Sequence, residues 1–528
     1  MEESTTAASI PAEAKSPVRQ HYATKRQIRG SSLLLVGQLL AKGVNFGVQV
    51  FIVRYLTRSD YGAFAYAMSF VGLGESITTF GLDRAITRFV PIYHEQKDYQ
   101  KMFGTILMVI GSVLGLSLAL TLFIYSFPGL VAKQLGADDL SFRLLLILVF
   151  LAPIQTIDGL LVGMFAVFAS ARSIFFRKYV LGPALKLSVV ILLVTLHSNV
   201  SFLAWGYVVS AALGILIYSI ILIKVMKDLD LFPHFRFKTA QVPWREVLSF
   251  TVPLLTSDLL YAVMNTMDAV VLERYWGNVD VAALRAVQPT AVLNSLVMSS
   301  FAILFTPMAA RMFAHKDREG INNLYWQTAI WIAVFTFPIF ALTFSMAKPV
   351  TIFLYGDRYA KSATILALLS LGYYFDAALG FNGLTIKVYG KVAYSVIINV
   401  LAGVFNFLAI IILIPKYGAL GGAIGTFGAL VFHNILKQAG LRLGTGISLF
   451  DWRYFRVYLV IIGSALGLWL FQAATNSSVI TSIAAAGAAS LLVLLGNRNL
   501  LNLHQTFPEL LRIPIFRFLF GEKRESSG

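Results

Sequence analysis

The chain has 528 residues, of which 57% are hydrophobic and only 13% are charged. Soluble domains carry roughly one-quarter charged residues, so this composition excludes a soluble fold. The formal net charge of +17 does not indicate nucleic-acid binding here, because the Lys and Arg residues fall mostly in the loops between apolar segments.

Apolar segments long enough to cross a hydrocarbon core follow one another along the whole chain. They predict an all-α polytopic membrane protein with fourteen transmembrane helices. The predicted spans are 31–53, 61–81, 103–127, 141–168, 177–196, 202–225, 248–272, 281–310, 325–353, 362–386, 392–414, 419–438, 455–473 and 479–495.

The loops and tails predict how these spans are grouped. The N-terminal tail is polar and has no apolar core, so we expect no cleavable signal peptide. Lys and Arg concentrate in both tails and in the loops on one side, so the positive-inside rule places both termini in the cytoplasm. The predicted units are a cytoplasmic tail (1–30), a first lobe (31–225), a cytoplasmic linker (226–247), a second lobe (248–438), two further helices (455–495) and a cytoplasmic amphipathic tail (496–528).

The two predicted lobes repeat each other. One constant offset along the chain, which we call the repeat offset, brings Arg54-Tyr55 onto Arg274-Tyr275, and a shift smaller by a single position brings Lys97-Asp98 onto Lys316-Asp317. Because each lobe has an even number of spans, both enter the membrane from the same side. We therefore expect two six-helix lobes related by an axis along the membrane normal.

Polar residues form a stripe along one face of spans one and seven. Residues three or four apart share a helix face, so such stripes predict two helices that line one central cavity. The stripe of span one is Gln38, Lys42, Asn45 and Gln49, and that of span seven is Asp258, Tyr261, Asn265 and Asp268.

Other spans contain isolated charges, which cost roughly 2.5–3.5 kcal/mol each at the bilayer centre and must therefore face protein or water. They either pair structurally, for example Lys42 with Asp258 or Asp268, or line a substrate cavity. The predicted cavity residues are Gln38, Lys42, Asn45, Gln49, Lys186, Asp258, Asn265, Asp268, Arg285 and Gln288. The predicted ion-coupling carboxylates, for H⁺ or Na⁺, are Glu75, Asp158 and Asp376.

Four cations, Arg84, Arg88, Arg311 and Lys387, fall at the predicted cytoplasmic ends of spans. They either anchor the chain by the positive-inside rule or bind an anionic head group at the cytoplasmic mouth. The sequence has no Cys and no nucleotide-binding, metal-ligand or hydrolase motif. We expect no cofactor other than a coupling ion, no metal and no enzymatic activity, although an integral-membrane glycan polymerase or ligase stays an alternative.

The stretch from RGSSLLLVGQLLAKGVNFGVQVFIVRYLTRSDYG to DRAITRFVPIYHEQKD resembles the start of polysaccharide-biosynthesis flippases of the Wzx type. These belong to the multidrug/oligosaccharidyl-lipid/polysaccharide (MOP) exporter superfamily, which includes the multidrug MATE transporters. In the second lobe, TMDAVVLERYWG, YGDRYAKSATILALLSLGYYF and NFLAIIILIPKYGALGGAIGT are similar to the corresponding stretches of that family.

The resemblance implies a V-shaped pair of lobes, alternating access, and a cargo of polyprenyl-pyrophosphate-linked oligosaccharide that is flipped from the cytoplasmic to the outer leaflet of the bacterial inner membrane. Glycan polymerase and glycosyltransferases are the implied partners. Lys42 matches a cavity cation of the related lipid II flippases, but Val48 or Gln49 stands where those have a further Arg. This difference argues against lipid II as the cargo. The alternatives are a multidrug/cation antiporter of the same superfamily, which the intramembrane carboxylates favour, and a lipid II flippase.

Overall fold

A computed structural model describes residues 17–135, 138–168 and 174–501, and every regular element in these ranges is helical. The all-α polytopic class predicted from the sequence is confirmed. A bilayer core offers no water to the backbone, so a chain of long apolar segments satisfies its amide groups by forming helices. Most of the predicted amphipathic tail (496–528), namely the part after residue 501, lies outside the described residues, and so does the part of the predicted N-terminal tail before residue 17.

The first lobe begins with a helix that is longer than its predicted span, because α1 already starts within the predicted tail. A π-helical turn, Phe176–Leu181, leads directly into the eighth α-helix. The helices are α1 (Pro17–Tyr55), α2 (Arg58–Thr79), α3 (Leu82–Glu95), α4 (Tyr99–Ser126), α5 (Pro128–Leu135), α6 (Asp139–Leu148), α7 (Leu151–Phe168), α8 (Gly182–Thr195) and α9 (Val200–Asp228).

The second lobe follows after a connection, 229–243, that is not α-helical, contains two short 3₁₀ turns and falls within the predicted linker 226–247. Its helices are α10 (Trp244–Trp276), α11 (Asn278–Val292), α12 (Leu296–Ala314), α13 (Arg318–Phe340), α14 (Ala347–Tyr355), α15 (Ser362–Ala378), α16 (Asn382–Val388) and α17 (Val392–Thr445). Three helices end the described chain: α18 (Phe455–Thr475), α19 (Val479–Gly496) and α20 (Arg498–Leu501).

Within the described ranges, 11 helical segments are long and apolar enough to cross a membrane. One of them, α17, has 54 residues and is interrupted at Gly418, whose φ of 57° and ψ of −136° are not helical. Each of the two parts is long enough for one crossing. The helices α2 and α10, at predicted spans two and seven, have 22 and 33 residues and are not among those 11 segments. The total of fourteen stays a prediction.

The internal repeat is visible in where helices begin. The helices α2 and α11 start at Arg58 and Asn278, which are separated by the repeat offset, while the starts of α4 and α13 are one position closer together. The turns before α4 and α13 are also alike. Lys97 and Lys316 both have a φ of 58°, and each following Asp accepts a hydrogen bond from the first turn of its helix. The same backbone path is thus used twice.

The two lobes pack most closely where α1 and α10 end and α2 and α11 begin, which we call the Arg54 end. A large hydrophobic cluster there joins Ile52 and Tyr61 of the first lobe to Leu272 and Val281 of the second. The absence of a side chain at Gly62 permits this approach, because a Cβ there would lie 1.9 Å from the backbone oxygen of Asn278. We call the opposite end, where α2 and α12 end, the Arg84 end.

Candidate functional site

A cavity of about 710 Å³ lies between the lobes, and we call it the central cavity. The first lobe contributes side chains of α1, α2, α8 and α9 to its wall, and the second contributes side chains of α10, α11 and α15. Its polar and aromatic lining residues are Asn45, Gln49, Tyr61, Phe64, Ser69, Ser76, Lys186, Tyr207, Asn265, Thr266, Arg285, Gln288 and Tyr373. Amides, hydroxyls and aromatic rings therefore face one another across the lobe interface.

The structure brings six of the ten predicted cavity residues to this wall. They come from four helices, since the stripes of α1 and α10 meet α8 and α11 here. The six are Asn45, Gln49, Lys186, Asn265, Arg285 and Gln288.

Of the other four predicted cavity residues, three do not line the central cavity in the described structure. Gln38 and Lys42 are exposed side chains in the earlier turns of α1, where Gly37 packs against Phe175 and Tyr179 of the first lobe. Asp268 is buried behind the wall. The side chain of Asp258 lies outside the described residues.

Arg285 forms the central ion pair of this site. Its Nη2 atom donates to Asp268 Oδ1 at 2.6 Å and to the backbone oxygen of Asn265 at 2.5 Å, while Nη1 donates to Gln288 Oε1 at 3.0 Å. The pairing of Lys42 with Asp268, one of the alternatives from the sequence, is therefore wrong. The two opposite charges lie together in a low-dielectric region, so the pair carries no net charge there.

Tyr61 joins three helices at the floor of the cavity. It is 2% exposed and accepts a hydrogen bond from the Gln49 side-chain amide. Its own hydroxyl donates to the backbone oxygen of Arg285 at 3.3 Å. Sequence reasoning missed this residue, because a single Tyr at the start of a span is common near membrane interfaces.

The cavity is closed at the Arg54 end by arginines that bind helix C-termini of the opposite lobe. Arg54 Nε donates to the Leu354 oxygen at 2.9 Å, and the same guanidinium binds the Phe353 oxygen. In the other direction, Arg358 Nη2 of the second lobe donates to the backbone oxygens of Val53 and Arg54, at 2.5 and 2.7 Å. Cations at helix C-termini satisfy free carbonyls and complement the helix dipole.

A polar cluster between the lobes also closes the Arg54 end, at the contact that the repeat relates to that of Arg358. Asn278 Nδ2 donates to Asp138 Oδ2 at 2.8 Å, and the Ser141 hydroxyl donates to Asn278 Oδ1 at 3.0 Å. The nearby Glu273 accepts from the Asp138 backbone amide at 3.4 Å. Asp138 precedes Arg358 by the repeat offset, so the repeat supplies closing residues to both lobe contacts.

The predicted coupling carboxylates have different surroundings. Asp376 accepts from Asn434 Nδ2 at 2.7 Å and lies 3.4 Å from Lys437 Nζ. Asp158 is paired with Arg177. Glu75, next to the cavity residue Ser76, is half-buried and makes no ion pair within the described part of the chain.

A second cavity of about 220 Å³, which we call the side pocket, lies inside the first lobe. It shares Asn45, Met68, Lys186 and Tyr207 with the wall of the central cavity, so the two adjoin. Its charged lining residues are Asp158, Arg177, Lys178 and Lys186. Sequence reasoning missed Arg177, because it falls at the predicted edge of span five, where a cation is ordinarily an interfacial anchor.

The four cations predicted at the cytoplasmic mouth lie on elements of the Arg84 end. Arg84 and Arg88 are on α3, and Arg88 lies 4.3 Å from the Phe250 ring centroid of the second lobe. The exposed Arg311 and Lys387 are in the last turns of α12 and α16.

The lobes also touch at the Arg84 end, where α3 meets the start of α10. The Tyr93 hydroxyl donates to Glu246 Oε2 at 2.8 Å. Burial and this hydrogen bond raise the pKa of Tyr93 to about 12, so the hydroxyl remains a donor at neutral pH. This contact ties the beginning of the second lobe to the first.

Two protein-family models match the chain. The model described as "Polysaccharide biosynthesis protein" matches residues 28–313, and the model described as MatE matches residues 253–412. The first of these covers more than half of the chain.

Relatives of known name match at low identity. Stage V sporulation protein B of Bacillus subtilis is 21% identical over 492 residues, which cover 89% of this chain and 94% of the relative. Capsular polysaccharide biosynthesis protein CapF of Staphylococcus aureus is 27% identical over 199 residues, 36% of this chain and 49% of the relative.

Among solved structures, lipid II flippase MurJ in an inward closed conformation superposes with a TM-score of 0.68 at 16% identity. The superposition covers 88% of this chain and 98% of that one. At this identity the likeness establishes the fold.

Proposed function

Because this chain belongs to the family of polysaccharide biosynthesis proteins within the MOP superfamily, we propose that it flips a polyprenyl-pyrophosphate-linked oligosaccharide from the cytoplasmic to the outer leaflet. The observation that carries the proposal is the polar central cavity at the lobe interface, closed at the Arg54 end. A site between two repeats, closed on one side, is the arrangement that alternating access uses.

The lining of the central cavity suits a sugar. Asn45, Gln49, Asn265 and Gln288 offer amide donors and acceptors to hydroxyl groups, while the ring of Tyr207 offers an apolar face. Binding sites commonly combine an apolar surface with a few placed polar groups. In this proposal the oligosaccharide crosses inside the cavity and the polyprenyl chain stays in the bilayer.

Transport is proposed to be coupled to an ion gradient, with H⁺ or Na⁺ as the ion, since the sequence has no nucleotide-binding motif. The candidate coupling groups are Glu75, Asp158 and Asp376. Of these, Asp158 and Asp376 have cationic partners and Glu75 does not within the described residues. We therefore assign the primary coupling role to Glu75.

The test is transport by the purified protein in liposomes. A fluorescently labelled lipid-linked oligosaccharide is placed in both leaflets, and a reductant that cannot cross the bilayer quenches the outer pool. Protein-dependent loss of the inner pool, increased by an imposed ion gradient, is expected. Liposomes whose inner pool stays protected at every gradient would contradict the proposal, and a sample carrying Arg285→Gln serves as the inactive control.

A multidrug/cation antiporter is the second candidate, favoured by the MatE match over residues 253–412 and by the Asp376 cluster in the second lobe. Efflux of cationic dyes from cells without native pumps distinguishes the two candidates. A lipid II flippase is the third, and labelled lipid II in the liposome assay separates it from an oligosaccharide flippase.

We further propose that the protein resides in the bacterial inner membrane with both termini in the cytoplasm, which places the Arg54 end outside. Reporter fusions at each terminus test this topology. Glycan polymerase and glycosyltransferases are the proposed partners, because they act on the same lipid-linked substrate. Crosslinking followed by mass spectrometry in the native host is the corresponding test.

A further inference from the structure

The positive charge near the substrate path is concentrated in the side pocket rather than in the central cavity. Arg285 of the central cavity is neutralised by Asp268 at 2.6 Å. The side pocket, in contrast, is lined by Arg177, Lys178 and Lys186, and its lining includes a single carboxylate, Asp158. An anionic group that enters the central cavity is therefore attracted to the wall shared with the side pocket, where the protein carries excess positive charge.

Arg177 is a buried residue of this pocket. Its side chain is 1% exposed, and its guanidinium lies 4.0 Å from the ring centroid of Tyr218, whose hydroxyl donates to the Arg177 oxygen at 2.8 Å. Nη2 binds Asp158, but Nε and Nη1 have no hydrogen-bond partner in the described structure. Buried N–H groups of a cation are costly to leave unpaired, so the surroundings of Arg177 favour an anionic group in this pocket.

The local backbone is unusual at the same place. Arg177 and Lys178 lie in the π-helical turn Phe176–Leu181, and both line the pocket together with residues of α7 and α9. π-Helical turns are rare overall, and those that occur are often found at functional sites. Lys186, two turns further along on α8, completes the group on the wall shared with the central cavity.

We propose that the side pocket is the subsite for the pyrophosphate group of the lipid-linked cargo, an inference that rests on the proposed function. Lys186 and Lys178 bind phosphate oxygens by charge-assisted hydrogen bonds, and the buried positive charge of Arg177 favours the anion in this pocket. The pocket volume of about 220 Å³ exceeds by more than tenfold the roughly 15 Å³ that one water needs. The attached sugars then extend into the central cavity.

The experiment measures binding to the full-length protein in lipid nanodiscs, with farnesyl diphosphate as the probe. Inorganic pyrophosphate and farnesol are separate arms, which distinguish a lipid diphosphate from a free anion and from a lipid tail. The variants are Lys186→Gln, Lys178→Gln and the charge-conserving Lys186→Arg. Lys224→Gln on α9 is the matched control, because Lys224 is exposed and lines neither cavity.

We expect the wild-type protein to bind farnesyl diphosphate and not farnesol. Lys186→Gln should weaken this binding by about tenfold or more, as expected for loss of a charge-assisted hydrogen bond, with Lys178→Gln acting in the same direction. Lys186→Arg should restore most of the affinity, and Lys224→Gln should leave it unchanged. Both lysines are exposed, so these changes do not depend on the fold tolerating a change at Arg177.

Three results would overturn the proposal: no binding of farnesyl diphosphate to the wild type, unchanged binding by both Gln variants, or binding of inorganic pyrophosphate alone. The liposome assay keeps the two proposals separate. Normal flipping with unchanged binding in the variants rejects the side pocket and keeps the flippase. Selective loss of binding in the variants, without flipping of lipid-linked oligosaccharide by the wild type, keeps the subsite and rejects the flippase.

Discussion

The guanidinium of Arg358 donates to the backbone oxygen of Arg54 at 2.7 Å, which joins the last turn of α1 to the loop after α14. Arg54 binds the end of α14 in return, so two arginines close one end of the central cavity reciprocally. Opening at this end breaks both sets of hydrogen bonds. Since each is a charge-assisted bond to a helix terminus, their loss should shift the balance between closed and open states.

Replacing Arg358 by Gln should therefore populate a state that is open at the Arg54 end. The chain has no Cys, so Asn45→Cys provides a single label site in the cavity without further changes. We expect a membrane-impermeant maleimide, added to the face that carries Arg54, to label this Cys about tenfold faster in the Arg358→Gln background.

The neighbouring Lys361→Gln is the control for that measurement. It makes the same charge change on an exposed side chain just before α15. Equal labelling rates in both backgrounds would show that Arg358 does not hold this end closed.

Separating Arg285 from Asp268 should destabilise the fold, because each single neutral substitution leaves the other charge unpaired at the lobe interface. We expect Asp268→Asn or Arg285→Gln to lower the free energy of unfolding by about 3 kcal/mol. The double variant should be less destabilised than the sum of the singles. A thermal unfolding series in detergent measures this coupling, and strict additivity would argue against the pair.

Glu75→Gln should remove the dependence of transport on the ion gradient, since Glu75 is the predicted coupling carboxylate without an ion pair in the described structure. Asp158→Asn and Asp376→Asn should instead lower stability, because Arg177 and Lys437 would lose their partners. Initial flipping rates with and without an imposed gradient, alongside unfolding temperatures, separate the two effects. A Glu75→Gln protein that still responds to the gradient would contradict this assignment.

Gly62→Ala should force α2 away from α11, because the added Cβ would lie 1.9 Å from the Asn278 backbone oxygen. Overpacking of this kind costs typically about 1–3 kcal/mol, and a clash with backbone belongs near the upper value. Gly115→Ala on α4 is the control, since nothing lies within 4 Å of the position that its Cβ would take. Equal unfolding temperatures for the two variants would show that close packing at Gly62 is dispensable.

Much of the fold was predictable from the sequence because it depends on local and periodic features. Composition alone required membrane spans, and the repeat offset required two similar lobes, as the start of α2 at Arg58 and of α11 at Asn278 illustrates. The stripes of α1 and α10 likewise predicted that Asn45 and Asn265 face one cavity. Helix periodicity determines which residues of one helix share a face.

Periodicity does not determine which faces of different helices meet, and there the structure decided. Asp268 pairs with Arg285 rather than with Lys42 because the rotation and crossing of α10 and α11 bring their side chains together behind the wall. Arg358 reaches Arg54 across 304 residues of sequence. In the side pocket, a π-helical turn contains Arg177, which pairs with Asp158 of another helix. The sequence by itself thus determined the membrane class, the repeat and the polar faces, whereas tertiary packing alone decided which charges are neutralised and which remain available to a substrate.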